Sequence, residues 1–329
     1  MNKLSPFYSA INRGNSPLRI ASHACHEGFQ VSLAKCNTEW MFIPSPEGKT
    51  WDADYRKMPN NIIEISQEQF NKMDFIDLTM SHTIQQIQGM QKMSDFFGIK
   101  HINLNHIYPN PSFNDRYIKT INESRKDAVK VFTTEHQANE WGYGASECEI
   151  IGHGVDTDHF KDWTTVGGKI ISVANFYQDR GDELGYDIYL DLVRNLGKDK
   201  FFHIGKSSNN SSEAAKNYNH LASLYQVGYI FINTCHRSVL PTTLVEAMST
   251  GMPVVTKNNP TIDKLIVNGE NGFKVENSKE MTECITMLIN DRDLAFKIGK
   301  GARKTAIEKY NMDKFIGKWD TLLKRNIKT

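Results

Sequence analysis

Between Pro241 and Thr256 the chain reads PTTLVEAMSTGMPVVT, and Glu246 is the only acidic side chain in that stretch. Its neighbours are small or apolar, as expected of a helix that packs on a core and runs into a strand. A carboxylate in such a place is costly unless something pairs with it or donates hydrogen bonds to it. Two acceptor oxygens one turn inside a helix suit a vicinal diol, and ribose is such a diol. Thr242 and Thr243, just after Pro241, would put the amides of a helix N-terminus beside that diol, where diphosphate charge is favoured. The alternative is that Glu246 faces solvent, which Ala247, Met248 and Gly251 argue against.

Two other segments have similar potential. In KIISVANFYQDRGDELGYD a strand runs out at Asn175, and Arg180-Gly181 follows in the loop before a helix. A guanidinium there can fork onto two phosphate oxygens, or it can pair on the surface with Asp179, Asp182 or Glu183. In CEIIGHGVDTDHF the strand ends at Gly152-His153-Gly154, where two glycines permit close backbone approach or a positive φ, or form an ordinary turn.

These segments need strands whose carboxyl ends carry them, and the sequence supplies such strands throughout. Short apolar runs alternate with stretches of helical period, the signature of a parallel sheet with crossover helices and hence an α/β chain. The first half offers LRIASHA, EWMFIPS, NIIEIS, FIDLTMS, HINLNHI, KVFTTE and CEIIGHGV. The second offers KIISVANF, KFFHIG, YIFINTC, MPVVTK and GFKVE. Helices are expected at TIQQIQGMQKMSDFFG, YDIYLDLVRNLG and SKEMTECITMLIN. The polar segment from Val155 to Lys169 reads as the joint between two domains, 1–155 and 156–310. Residues 311–329 form a final amphipathic helix with Phe315, Ile316, Trp319 and Leu322 or Leu323 on one side.

Composition narrows the function classes. The 329 residues are enough for two domains, and 39 Lys+Arg against 38 Asp+Glu leave a net charge of +1, so no global field draws the chain to nucleic acid or an anionic membrane. Five cysteines without CxxC spacing argue against a zinc site or a disulfide framework and read as reduced, packed thiols. No signal-peptide-like or membrane-spanning apolar run is present, so the expected location is cytoplasmic.

HGVDTDHF, the Arg-Gly loop and TTLVEAMSTGMPVV with KLIVNGENGFKV together resemble the C-terminal domain of retaining GT-B glycosyltransferases of the family-four type, the glycosyl transferases group 1. The resemblance runs from about Glu149 to Tyr310 and is strongest from Leu240 to Val275. It implies a GT-B fold, two Rossmann-like domains facing a cleft, with the first domain on the acceptor side, the second binding a nucleotide sugar and the final helix packing back across the domains. On it, His153 and Gly154 approach the donor phosphates and Glu246 holds ribose. The family's Arg and Lys, five apart, fall on Asn175 and Arg180, so Lys206 after KFFHIG becomes a candidate for the missing charge. The first glutamate of the family's pair falls on Ser238, and His236 or Arg237 are candidates to stand in for it.

The first half resembles the family less. SHACHEGFQVSLAKC offers His23, His26 and Glu27 on the acceptor or sugar side, and because HEGFQ is not HExxH no zinc is expected. His82 and His106 close two further strands and would face the same cleft. The activity implied is metal-independent transfer of a hexose or pentose, with retention, from a UDP-linked sugar to an acceptor hydroxyl, with no further cofactor. Arg180, Thr242, Thr243 and Lys206 would supply phosphate charge stabilisation, and His82 and His106 would orient hydroxyls. The acceptor could be a polysaccharide, a lipid-linked sugar, a protein or a hydroxymethylated DNA base. A DNA acceptor would use cations such as Arg56, Lys57, Arg116, Lys119, Arg125 and Lys126, which otherwise form a solvated surface. A sugar-nucleotide epimerase of the same fold, a phosphorylase-like enzyme and a non-catalytic nucleotide-sugar-binding protein are the alternatives.

Overall fold

The computed structural model describes residues 16–45, 48, 50–73, 75–164, 167–208 and 213–327. The chain divides into two compact units, one formed by residues 1–152 with 313–329 and the other by 153–312.

The first unit is built on seven parallel strands: β1 (Leu18–His23), β2 (Thr38–Ile43), β3 (Ile62–Glu64), β4 (Leu78–Ser81), β5 (Lys100–Asn105), β6 (Val129–Phe132) and β7 (Glu149–Ile150). Their order is β3-β2-β1-β4-β5-β6-β7. The central strands are buried along nearly their whole length, as the sequence reading requires of a sheet covered on both faces. Ala21, Met41, Ile43, Phe70, Ile76 and Met90 make one core, and Ile87, Ile121, Phe132, Ala138 and Trp141 another. The helix expected after FIDLTMS spans Ile84–Phe97 and stops at Gly98, whose φ of 67° supplies the left-handed cap.

The second unit carries β8 (Lys169–Val173), β9 (Phe201–Ile204), β10 (Gly228–Asn233), β11 (Val254–Lys257) and β12 (Phe273–Val275) in the order β12-β11-β10-β8-β9, again parallel. Both sheets reverse their order once. The switch lies between β1 and β4 in the first and between β8 and β10 in the second, and loops at such points diverge to leave a crevice at the strands' carboxyl ends.

The segment after Val155, expected as the joint between the domains, packs on the second unit. Val155 donates to Tyr310 O at 2.8 Å, Phe160 is completely buried, and Trp163 Nε1 donates to Gly228 O at 2.7 Å. The last helix, Met312–Arg325, buries Phe315, Trp319, Leu322 and Leu323, whereas Ile316 is only half-buried. Phe315 and Trp319 meet Phe29 edge-on at 5.3 and 6.1 Å, so this face belongs to the first unit's core. All five cysteines are free thiols. Burial pushes the Cys36 thiol up to about 12, with Asp320 adding to the effect.

Candidate functional site

In the second unit the site grows from the carboxyl ends of β8, β9 and β10. The loops after β8 and β9 are joined backbone to backbone. Ala174 N donates to Ile204 O, Lys206 N donates to the Asn175 side-chain oxygen at 2.9 Å, and Phe176 N donates to Lys206 O at 2.6 Å. Gly205 permits this, because a Cβ there would lie 1.9 Å from Ala174 O. Asn175 therefore fastens one loop to the other, and the Lys206 side chain is carried exposed on the loop it holds.

The β8 loop is also fastened to β10. The Tyr177 hydroxyl bonds the Thr234 hydroxyl, which bonds Leu184 O at 2.7 Å. The Cys235 thiol donates to Glu183 O at 3.1 Å, and burial pushes that thiol up to about 11. Gly185, at φ 68°, lies so close that a Cβ would sit 2.0 Å from Thr234 O. Arg180 stands at the rim of this assembly. Its fork holds Glu183 at 2.5 and 3.3 Å, the surface pairing weighed above, and the helix it opens, Gly181–Leu184, is too short for a dipole argument. Releasing Arg180 to a phosphate would mean exchanging one carboxylate for another anion.

The loop after β10 leads to the helix Thr242–Thr250, capped by Pro241, which has no side-chain acceptor. The first helical bond is Leu244 N to Pro241 O, so the half-buried Thr242 and Thr243 precede it and their amides point out of the turn. Glu246 lies one turn deeper and is 6% exposed, which excludes the solvent-facing alternative. Its Oε2 accepts from the hydroxyl of Tyr225 at 3.1 Å, and that hydroxyl lies equally close to Thr243 O. Ser238 is half-buried beside the Cys235 thiol. Close by, His236 Nε2 lies 3.3 Å from Asp187, so an acidic group does reach this loop, though from another helix.

The Val155–Phe160 segment completes the support. Phe160 meets Tyr225 edge-on at 5.6 Å, and the Ser249 hydroxyl donates to Phe160 O at 2.8 Å. Arg303 directs its guanidinium at three carbonyls, those of Thr157, Phe160 and Ser249. His153 and Gly154, just upstream, are half-buried.

In the first unit the structure brings together the four histidines expected at strand ends. His23 ends β1, His26 follows it, His82 follows β4 and His106 follows β5, so they surround that sheet's own switch point. His106 and His26 rings lie 4.0 Å apart, and His82 stacks on His106 at 5.4 Å. His23 Nδ1 lies 3.1 Å from Ile43 O, where it donates. His82 Nδ1 is 3.1 Å from His106 Nε2. His82 is 3% exposed, and burial, with His26 and His23 nearby, pushes its pKa down to about 3. It is therefore a neutral ring behind the surface and cannot touch a substrate hydroxyl, contrary to the expectation; His106 is half-buried and can. Glu27 Oε1 accepts from Asp52 N at 2.6 Å, which ties it to the neighbouring loop.

Of the cations considered for DNA, Arg125 is fully buried and excluded from that role. It lies over Phe132, Trp141 and Tyr143 at 4.6 to 5.5 Å and donates to Asn103 and Asn122. Lys126 is exposed and pairs with Glu123. Two contributors escaped the sequence reading. Tyr225 lies 21 residues before Glu246, and Gln30 is an unremarkable glutamine in a helix; neither belongs to a local pattern.

Residues 213–305, which include Tyr225, Thr242, Thr243 and Glu246, match the family described as glycosyl transferases group 1. An uncharacterized glycosyltransferase of Haemophilus influenzae is 31% identical over 108 residues, 32% of this chain and 30% of that protein. The capsular polysaccharide biosynthesis glycosyltransferase CapM of Staphylococcus aureus is 29% identical over 133 residues, 39% of this chain and 35% of its own. The chain thus spans about a third of the length of the curated relatives it matches. The crystal structure of Anabaena HepE in complex with UDP superposes on 94% of this chain and 100% of its own with a TM-score of 0.75 at 13% identity, which fixes the fold as GT-B. The segment around Glu246, residues 213–305, is thus similar to the glycosyl transferases group 1.

Proposed function

We propose that the protein transfers a sugar from a nucleoside diphosphate sugar, UDP-linked, to an acceptor hydroxyl with retention. The observation that carries this reading is Glu246, a nearly buried carboxylate held from behind by Tyr225, one turn inside a helix whose first amides precede its hydrogen-bond ladder. That arrangement suits a ribose diol with a diphosphate beside it. The UDP complex of the GT-B neighbour supports the choice of nucleotide.

The second unit's residues divide the work. Glu246 accepts hydrogen bonds from the ribose hydroxyls. Thr242 and Thr243 amides, Arg180 and Lys206 balance the diphosphate, whose charge grows as the glycosidic bond breaks. His153 and Gly154 lie at the phosphate side. Asn175 stands where the family has its arginine and acts by holding the Lys206 loop. In the first unit His106 orients a sugar or acceptor hydroxyl, with His26 beside it, Glu27 next to His26 in the chain, and His23 and His82 behind. With retention, a phosphate oxygen of the leaving group takes the acceptor proton, so no strong base is required and no metal or added cofactor enters the scheme.

For the acceptor, a carbohydrate hydroxyl is preferred to a DNA base. Burial of Arg125 removes one of the cations a DNA surface would use, and the CapM relative is named for capsular polysaccharide biosynthesis. No helix among the described residues is long and apolar enough to cross a membrane, and a cytoplasmic protein drawing on soluble donors is the reading adopted. Incubation of the full chain with a panel of labelled nucleotide sugars, followed by nucleoside diphosphate release, tests the proposal. Release from one donor that requires Glu246 is expected. A folded protein that neither binds nor turns over any donor would overturn it.

A further inference from the structure

We propose that Gln30 is a positioning residue that sets the direction of a buried hydrogen-bond chain, Gln30 to His82 to His106, so that His106 carries its hydrogen on Nδ1 and serves as a donor. The inference rests on the reading of His106 as a group that orients a hydroxyl. Gln30 lies in the helix Glu27–Leu33 and is 1% exposed. Its amide has only one orientation. Cys25 N, which can only donate, faces Gln30 Oε1 at 3.0 Å, and His23 O, which can only accept, faces Gln30 Nε2 at 2.7 Å. Turning the amide over would set donor against donor and acceptor against acceptor at once.

With that orientation fixed, Gln30 Nε2 also lies 3.3 Å from His82 Nε2. Only a bare ring nitrogen can accept there, so the hydrogen of neutral His82 is on Nδ1 and is donated to His106 Nε2 at 3.1 Å. His106 Nε2 is then an acceptor, and its own hydrogen is on Nδ1. The reverse polarity would need a hydrogen on His82 Nε2, pointed at the amide hydrogens of Gln30. His82 is held in register by a further bond from its backbone N–H to Gln86 Oε1 at 2.9 Å. The consequence for chemistry is a choice between two roles. A neutral His106 with Nδ1–H offers a hydrogen to an oxygen and has its basic nitrogen turned inward, so it orients a hydroxyl and does not deprotonate it. The other ionisable rings facing this chain are His23 and His26.

The full chain labelled with 15N-histidine gives the direct test, since imidazole 1H–15N correlations distinguish the two tautomers. At pH 7 both His82 and His106 are expected as Nδ1–H with Nε2 bare, and Nε2–H on either ring overturns the proposal. A Gln30→Glu variant presents a carboxylate to His82 Nε2 and is expected to reverse both rings to Nε2–H. Retention of the original tautomers in the folded variant would show that Gln30 does not set the direction. In the same variant kcat is expected to fall at least tenfold while UDP affinity, a property of the second unit, stays within twofold. Reversed tautomers with unchanged turnover would overturn the role of His106 and leave the donor-site reading intact. Loss of UDP binding in the unaltered protein would instead defeat the donor-site reading itself.

Discussion

Replacing Glu246 with alanine separates a nucleotide-holding carboxylate from one that only fills the fold. The side chain is 6% exposed, and one of its partners, the Tyr225 hydroxyl, also lies 3.1 Å from Thr243 O, so the tyrosine retains an acceptor when the carboxylate is removed. The tyrosine thus stays hydrogen-bonded in the variant, and the fold should survive. A hydrogen bond to a charged acceptor contributes about 1.5 to 3 kcal/mol. Loss of the ribose contacts should thus weaken UDP binding by roughly ten- to a hundredfold. Calorimetric titration with UDP and with 2′,3′-dideoxy-UDP closes a cycle that isolates the ribose hydroxyls. The unaltered protein should prefer UDP, and Glu246→Ala should abolish that preference while binding the dideoxy compound nearly as before. If the folded variant keeps the same ratio between the two nucleotides, Glu246 does not read the diol.

Arg180→Ala should depress kcat at least as much as it raises KM, because phosphate charge is greatest in the transition state, and a pure KM effect measured by initial rates would mark it as a ground-state anchor. Gly185→Ala should lower the thermal midpoint. A left-handed φ costs an L-residue about 1 to 2 kcal/mol, and the new methyl would meet Thr234 O at 2.0 Å, so an unchanged midpoint refutes the packing argument. Stability should fall on acidification. Burial pushes His82 down to about 3 and His101 to about 4, well below the value near 6.5 of an unfolded chain. The unfolded state therefore binds more protons, and stabilisation complete above about pH 6.5 is lost toward pH 4 at up to about 1.4 kcal/mol per unit for each ring. Urea midpoints at pH 7 and 5 should show this, and His101→Asn should flatten the slope.

The strands were legible because each is a short apolar run, the central ones buried on both faces, and every one of the twelve expected runs contains a strand. The long helix Arg292–Tyr310 was not, because Gly299 and Gly301 weaken its local signal. Both glycines answer to distant backbone: a Cβ on Gly299 would lie 2.0 Å from Gly251 O, and one on Gly301 would lie 2.0 Å from Glu270 O. Glu246 was conspicuous because a carboxylate among small apolar residues is anomalous in its own sequence. Tyr225 and Gln30 were not, because glutamine in a helix and tyrosine before a strand are unexceptional until folding shows what they face. The burial of His82 was hidden for a similar reason, since a strand end reads the same whether its side chain stops at the surface or behind it. Arg125 shows the converse case, a cation that looks solvent-bound in sequence and sits under three aromatic rings.

Arg303 has an evolutionary consequence. Its guanidinium grips the carbonyls of Thr157, Phe160 and Ser249, which every amino acid possesses. The clamp itself is therefore blind to side-chain identity, although Phe160 is also needed for its ring and Ser249 for its hydroxyl. Mutations at Thr157 can accumulate without loosening the helix that carries Glu246. Variation at Thr157 can thus be explored while the helix that carries Glu246 stays anchored through carbonyl groups.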